Sequence, residues 1–335
     1  MLTSKLAIGP MSKEIIEAVF RFSGRYKKQL MLICSLNQVH WKGGYVFTTS
    51  EYAKYIANMR QQYPDADVVI CRDHCGPGFA KEVTTFRDVI ISDIEYGFDL
   101  IHIDLCHLQG NHQTKLQSTI SLMELAKQFN SKILFEIGTD ENIGEAENDV
   151  DRVTADIEFI KKTEKPEFYV VQTGSLVREN YQAGIFNEEK VNKLHEIIHY
   201  HGIKLKEHNA DYLSDRGIKA RQGLVDAVNI APQLGVVQTN YVLSQALIYG
   251  IDTQSFIDEV IRGDRWRKWV DPTNNPQRML NTLVAGHYHF NGSNYSAIIN
   301  KLDKLFDIRQ GIVDEVTQVI EHYMVALGEV DESCL

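Results

Sequence analysis

Residues 67 to 104, DVVICRDHCGPGFAKEVTTFRDVIISDIEYGFDLIHID, decide the fold. A short apolar run, Asp67–Cys71, gives way to polar and glycine-rich residues. A helical pattern follows over Lys81–Tyr96, and a second apolar run, Leu100–Asp104, closes the stretch. Short apolar runs separated by a longer amphipathic segment read as strand, helix, strand, with the two strands parallel.

The same unit recurs in both directions. Strands are expected at Lys5–Ile8, Leu30–Leu36, Lys132–Ile137, Glu167–Val171, Ile203–Lys206 and Asp226–Ile230. Helical patterns lie between or after them at Lys13–Phe22, Ser50–Gln62, Lys115–Phe129, Val150–Lys162, Glu188–Tyr200, Arg216–Gly223 and Gly235–Tyr249. With the opening stretch this makes eight strand–helix units, and the expected class is α/β, a (β/α)8 TIM barrel. Local signals agree. Thr48 with Glu51 is a capping box, Asn187 stands at an N-cap position before Glu188 and Glu189, and Gly202 follows the sixth helix as a stop. Beyond about Gly250 no strand pattern is found, so residues 1–250 are expected to form the barrel and residues 251–335 a helical C-terminal extension packing on it. In that extension Asp271–Gln277 reads as a turn-rich loop, and His287 and His289 have the spacing of alternate strand positions.

The 335 residues carry 44% hydrophobic and 24% charged side chains, the balance of a soluble globular protein. A formal charge of −10 argues against binding a phosphate backbone. No apolar run approaches the roughly 20 residues that cross a bilayer, and residues 1–10 lack a secretory pattern. Five cysteines without framework spacing favour a reducing compartment, so a cytoplasmic protein is expected.

In a barrel of this kind the chemistry stands at the C-terminal ends of the strands. Asn37 and Gln38 follow the second strand and Asp73–His74 the third. Asp104 ends the fourth and Glu136 the fifth. Gln172 and Ser175 follow the sixth, His208, Asn209 and Asp211 the seventh, and Asn229 ends the eighth. A purely structural rim has no need of this set. Imidazole and carboxylate together suit Zn, Mn, Fe or Co more than Ca or Mg, and a carboxylate beside a metal can serve as general base. Each residue also has an ordinary reading: a loop cap for Asp73–His74, a satisfied buried histidine for His208, a salt-bridged carboxylate for Glu136.

The segments Ser35–Val39 with Gly43–Tyr45, Asp73–Pro77, Ile101–Asp104, Glu136–Glu141, Val170–Gly174 and Glu207–Tyr212, in that order, resemble the tagatose-bisphosphate aldolase accessory-subunit family. Its relatives include ketose and ketose-phosphate 4-epimerases, and it is similar to the zinc-dependent class II ketose-bisphosphate aldolases. The resemblance implies Asp73 as catalytic acid/base and His74 and His208 as metal ligands. It implies a metal-associated Glu136, an acidic site residue at Asp104 and substrate contact at Asn229. Two positions depart from it. Ser175 stands where the aldolases carry a further zinc histidine, leaving Glu136 or Gln172 as the expected third ligand. Asp211 and Pro232–Gln233 occupy the phosphate-cradling positions, so Arg216, Lys219, Arg221, Arg265, Arg267 or Lys268 would have to replace them.

The expected protein is therefore a metal-dependent, aldolase-type enzyme of carbohydrate metabolism, or else a non-catalytic stabilising subunit of such an aldolase. Its catalytic residues are Asp73, Glu136 and Asp104. Its metal ligands are His74, His208 and Glu136, with zinc first among the divalent metals. Its substrate contacts are Asn37, Gln38, Gln172, Ser175, Asn209, Asp211 and Asn229. The expected partners are a small sugar or sugar phosphate, with no nucleic acid and no membrane. The aromatic, basic segment Arg265–Trp269 suits packing on a second copy in a homo-oligomer, and the resemblance implies a partner aldolase subunit as the alternative.

Overall fold

Apolar strands that must bury both faces, each followed by a helix, leave few arrangements other than a closed parallel barrel. The computed structural model, which describes residues 2–79, 85–147, 149–273 and 277–334, has that architecture. Its elements run β1 (Leu6–Ile8), α1 (Lys13–Tyr26), β2 (Leu30–Cys34), α2 (Thr49–Gln62), β3 (Val68–Cys75), α3 (Phe86–Glu95), β4 (Leu100–Ile103), α4 (His112–Phe129), β5 (Leu134–Gly138), α5 (Val150–Ile160) and β6 (Phe168–Val170). A small antiparallel hairpin follows, β7 (Val177–Arg178) and β8 (Tyr181–Gln182). Then come α6 (Glu188–Tyr200), β9 (Lys204–Glu207), α7 (Asp215–Lys219), β10 (Ala227–Ile230) and α8 (Pro232–Ile248). The parallel strands close in the order β1-β10-β9-β6-β5-β4-β3-β2. The hairpin was not signalled by the sequence pattern.

Sequence and structure differ at element ends. β3 extends to Cys75 and so carries Asp73 and His74 within the strand, while β2 stops at Cys34, short of the expected Leu36. α8 begins at Pro232, which suits a first helical turn because its missing N–H would have no partner there. α3 begins at Phe86, and the expected helical residues 81–84 lie outside the described residues. The capping box at Thr48 and the Asn187 cap form as expected.

Beyond Gly250 lie α9 (Gln254–Gly263), a 3-10 turn at Arg265–Lys268, α10 (Arg278–Ala285), a 3-10 turn at Gly286–His289, α11 (Ser293–Leu302) and α12 (Ile308–Ala326), with a last 3-10 turn at Glu332–Cys334. His287 and His289 therefore sit in a 3-10 turn rather than a strand. Part of the expected Asp271–Gln277 loop, residues 274–276, lies outside the described residues. α12 packs against α1 and α8, tied by Arg309 to Glu14 at 2.6 Å and by the Tyr26 hydroxyl to Glu321 at 3.0 Å. Its apolar face joins the same core as the barrel helices. Inside the barrel a second, smaller cluster of Ala7, Met31, Ile33, Cys71, Leu100, Phe168 and Ala227 forms an apolar floor. No helix among the described residues is long and apolar enough to cross a membrane.

Candidate active site

Above that floor the inward positions become polar. The two-residue period that turns Cys71, Leu100 and Leu134 into the barrel also turns Asp73, His102 and Glu136 inward, one layer nearer the C-terminal mouth. His74 would face outward on a regular strand. The register shifts between Arg72 and Cys75, and His74 adopts φ 40°, a bulge that re-aims its ring. The turn after it needs Gly76, because a Cβ there would stand 1.5 Å from the Asp104 carbonyl oxygen.

Three imidazoles and one carboxylate converge at this level. Asp73 Oδ1 lies 3.7 Å from His74 Nε2, 3.6 Å from His102 Nδ1 and 3.8 Å from His208 Nδ1. His74 Nε2 and His208 Nδ1 are 3.3 Å apart. Each ring's remote nitrogen meets an acceptor: His74 Nδ1 with Asp104 Oδ2 at 2.8 Å, His208 Nε2 with Glu136 Oε1 at 2.7 Å, His102 Nε2 with the Gly138 carbonyl at 3.0 Å. Those acceptors place the ring proton on the remote nitrogen and leave a lone pair on the near one. The backbone N–H of His74, 3.3 Å from His102 Nδ1, agrees with a lone pair there.

This donor set fits a transition metal. Two lone pairs facing each other at 3.3 Å repel unless a cation sits between them. Two nitrogens each about 2.0–2.1 Å from a tetrahedral zinc stand about 3.4 Å apart. With no metal, a proton must serve. Burial lowers His74, but Asp73 and Asp104 overcome it and raise the ring to about 9. Burial takes His208 down to about 4, against the pull of Glu136. Burial also works against ionised Asp73, yet the His74 charge and the two other imidazoles hold its carboxyl well below the usual range. Asp73 Oδ1 makes no hydrogen bond among the described residues, so one buried, charged oxygen faces the cluster unsatisfied.

No family profile and no curated protein sequence matches the chain. Solved structures do. A "probable tagatose 6 phosphate kinase" from Sinorhizobium meliloti 1021 aligns over 96% of this chain and 99% of its own, with TM-score 0.81 at 16% identity. A fructose-bisphosphate aldolase from Campylobacter jejuni aligns over 98% and 91%, with TM-score 0.61 at 12% identity. The YdjI aldolase from Escherichia coli K12 aligns over 92% of each chain, with TM-score 0.54 at 14% identity. The chain has the fold of these aldolases. At such identities the likeness is one of fold, and it agrees with the family resemblance carried by the motifs.

On this aldolase-like barrel the expected site residues divide. Asp73, His74 and His208 come together, and with them line a mouth cavity of about 170 Å³ that also takes in Asn37, Gln38, Asn209, Asp211 and Asn229. The third imidazole, His102, was missed. Glu136 is corrected from metal ligand and catalytic group to supporting partner. It is fully buried, one oxygen meeting Lys206 Nζ at 2.5 Å and the other holding His208. Asp104 is likewise corrected: its Oδ2 holds His74 and its Oδ1 accepts from the backbone N–H of Cys106 at 3.1 Å. Ser175 lies behind the wall, bonded to Thr173 and Glu207, and contributes nothing to the mouth. Gln172 lines a separate cavity beside α4 and α5, so it is neither the third ligand nor a mouth contact. Of the basic candidates, Arg221 is locked to Glu207 at 2.5 Å, and Arg216 and Lys219 are exposed on α7. Lys268 lines the mouth.

Asp211 lines the mouth but acts on the backbone. Its Oδ1 accepts the N–H groups of Ala231 and Gln233, both at 2.9 Å, at the start of α8. Burial outweighs these donors and pushes its carboxyl up to about 7. A carboxyl raised on folding favours the folded state in full below its unfolded pKa, about 3.9, and loses that contribution as pH rises through about 7. Asn at this position keeps an oxygen for both donors and cannot ionise. Asp211→Asn is expected to flatten the fall in unfolding midpoint between pH 5 and 8. Denaturant melts of both proteins across that range test it, and parallel curves would refute it.

Proposed function

We propose that this protein is a metal-dependent, aldolase-type enzyme that acts on a ketose or ketose phosphate by retro-aldol and aldol chemistry, cleaving the C3–C4 bond or inverting C4. The observation that carries the reading is the convergence of His74, His102 and His208 on the free oxygen of Asp73, with an acceptor behind every ring. A scaffold subunit has no use for three oriented imidazoles around a buried carboxylate. A divalent metal, zinc first, would be held by His74, His102 and His208 and would supply Lewis-acid polarisation of the ketose carbonyl.

The chain's own residues do the rest. Asp73 is ionised and takes the proton of the C4 hydroxyl as the C3–C4 bond breaks. Asp104 and Glu136 fix the rings of His74 and His208, and Asn229, whose Oδ1 has no partner among the described residues, offers an acceptor to a sugar hydroxyl. Departure of the two fragments makes the reaction a cleavage. Rotation of the aldehyde and re-addition, with Asp73 returning the proton, makes it a 4-epimerisation. The unpaired cysteines Cys34, Cys71, Cys75 and Cys106 support a cytoplasmic setting.

Metal analysis of the purified protein, with NMR of its incubation with fructose 6-phosphate, tagatose 6-phosphate and tagatose 1,6-bisphosphate, tests the reading. About one transition metal per chain with triose phosphate release, or with inversion at C4, is expected. Metal-free protein that leaves all three sugars intact after metal is supplied would transfer the weight to a stabilising subunit. His102→Ala should abolish most metal binding, whereas Ser175→Ala and Gln172→Ala should not. Full metal content in His102→Ala would remove that ring from the ligand set.

A further inference from the structure

Asp211 has a consequence for where a charged substrate is held. In barrels of this type an anion commonly binds backbone N–H groups at a helix start near the last strands. Here Asp211 already takes two N–H groups at the start of α8, so that site is closed to an anion. At the same mouth the C-terminal turns bring in positive charge. Lys268 lines both the mouth cavity and an outer vestibule of about 660 Å³, and Arg265 lines the vestibule. Neither has a carboxylate within ion-pair distance among the described residues, although the chain as a whole carries −10. The vestibule's own carboxylate, Asp264, is engaged by Arg267 at 2.7 Å. Arg265 is set in place by aromatic faces, 4.8 Å from the Tyr288 ring and 6.0 Å from that of Tyr45.

A second observation points into the same space. His287, 1% exposed, lines the mouth and its Nδ1 has no hydrogen-bond partner among the described residues. Burial, then Lys268 and Arg265, push this imidazole down to about 3, so it is neutral and the three groups lie within electrostatic reach of one another. Lys268 and His287 line the mouth, and Arg265 lines the vestibule that Lys268 joins to it. Two cations without an ion-pair partner among the described residues thus border connected spaces, with Asp73 the charge that acts on Lys268. This suits an anion with several acceptor oxygens.

We propose that Lys268 and Arg265, with His287 beside them, form an anchor for the anionic end of the substrate, which makes the substrate class a ketose bearing a terminal phosphate or carboxylate. The proposal rests on the aldolase-type reading for the ketose, and on the C-terminal turns alone for the charge. The anion docks under these turns while the C3–C4 bond reaches Asp73 in the polar layer above the floor.

Calorimetric titration of the metal-loaded Asp73→Asn protein, in which turnover is suppressed, with fructose, fructose 6-phosphate and fructuronate tests the anchor, and the unaltered protein is assayed for chemistry on the same sugars. At least one anionic ketose should bind about ten- to a hundred-fold more tightly than fructose, the range of a charge-assisted contact. A preference for fructose 6-phosphate assigns a phosphate ester, and one for fructuronate a carboxylate. Lys268→Gln should erase most of the preference, Lys268→Arg should keep it, and Arg265→Gln should reduce it, with circular dichroism confirming the fold of each. Equal binding of all three sugars, no binding of any, or a preference that survives both glutamine substitutions would overturn the anchor. Charge-dependent binding with no chemistry on any ketose would leave the anchor standing and refute the aldolase reading instead.

Discussion

Asp73→Asn is expected to lower turnover by about 10²- to 10⁴-fold while metal content stays near that of the unaltered protein. The reasoning starts from isolation of the carboxylate. Its Oδ1 has no hydrogen bond among the described residues, so it is free to accept one from the C4 hydroxyl. Positive charge beside it, on His74 when no metal is bound and on the cation when one is, favours the ionised carboxyl, which is the state a base must have before the C4 hydroxyl is deprotonated. Asn has the same shape and cannot accept that proton, so the loss falls on kcat rather than on substrate binding. The three rings keep Asp104, Glu136 and the Gly138 carbonyl behind them, so the metal should remain. A kcat within about three-fold of the parent would exclude Asp73 as the base. Loss of the metal along with activity would make Asp73 a ligand.

The sequence made the barrel legible because strand and helix periods differ, and it made half of the site legible because polar residues at strand ends interrupt apolar runs. Asp73, His74 and His208 stand out on that ground. His102 does not: Ile101 and Ile103 on either side make it look like part of a buried strand, although its spacing from Leu100 already turns it inward. Glu136 was read as a ligand because its partner Lys206 lies on a strand far along the chain, and only closure of the barrel brings the two to 2.5 Å. Ser175 was misplaced for the same reason, its partner Glu207 arriving from β9. For His287, a spacing of two fits a strand and a 3-10 turn leaves it equally buried, so local pattern cannot choose. The third imidazole was thus a question of layer: Ser175 after β6 does not reach the cluster, and β4 supplies the ring from inside the barrel wall.

Arg72→Met is expected to cost about 3–5 kcal/mol of folding stability, because it strands a buried carboxylate. Arg72 and Asp93 are each 1% exposed or less and meet through two hydrogen bonds of 2.7 Å. The two donors of Nη1 reach the carbonyls of Cys34 at 3.0 Å and Val39 at 2.8 Å. One side chain therefore ties β3 to α3 and to the loop that carries Asn37 and Gln38 into the mouth. Arg72→Met combined with Asp93→Leu should regain only part of the loss, since the stranded charge is gone but two carbonyls stay unsatisfied. Urea unfolding of the three proteins measures this, and a single variant within about 1 kcal/mol of the parent would refute it. Arg72 is the outward neighbour of Asp73, just as Glu207, clamped by Arg221, is the outward neighbour of His208. Both site residues thus have a buried ion pair fixing the backbone on their reverse side. Arg72→Met protein that remains folded should accordingly hold metal more weakly. Arg267→Ala breaks an exposed pair with Asp264 and should alter neither metal binding nor stability.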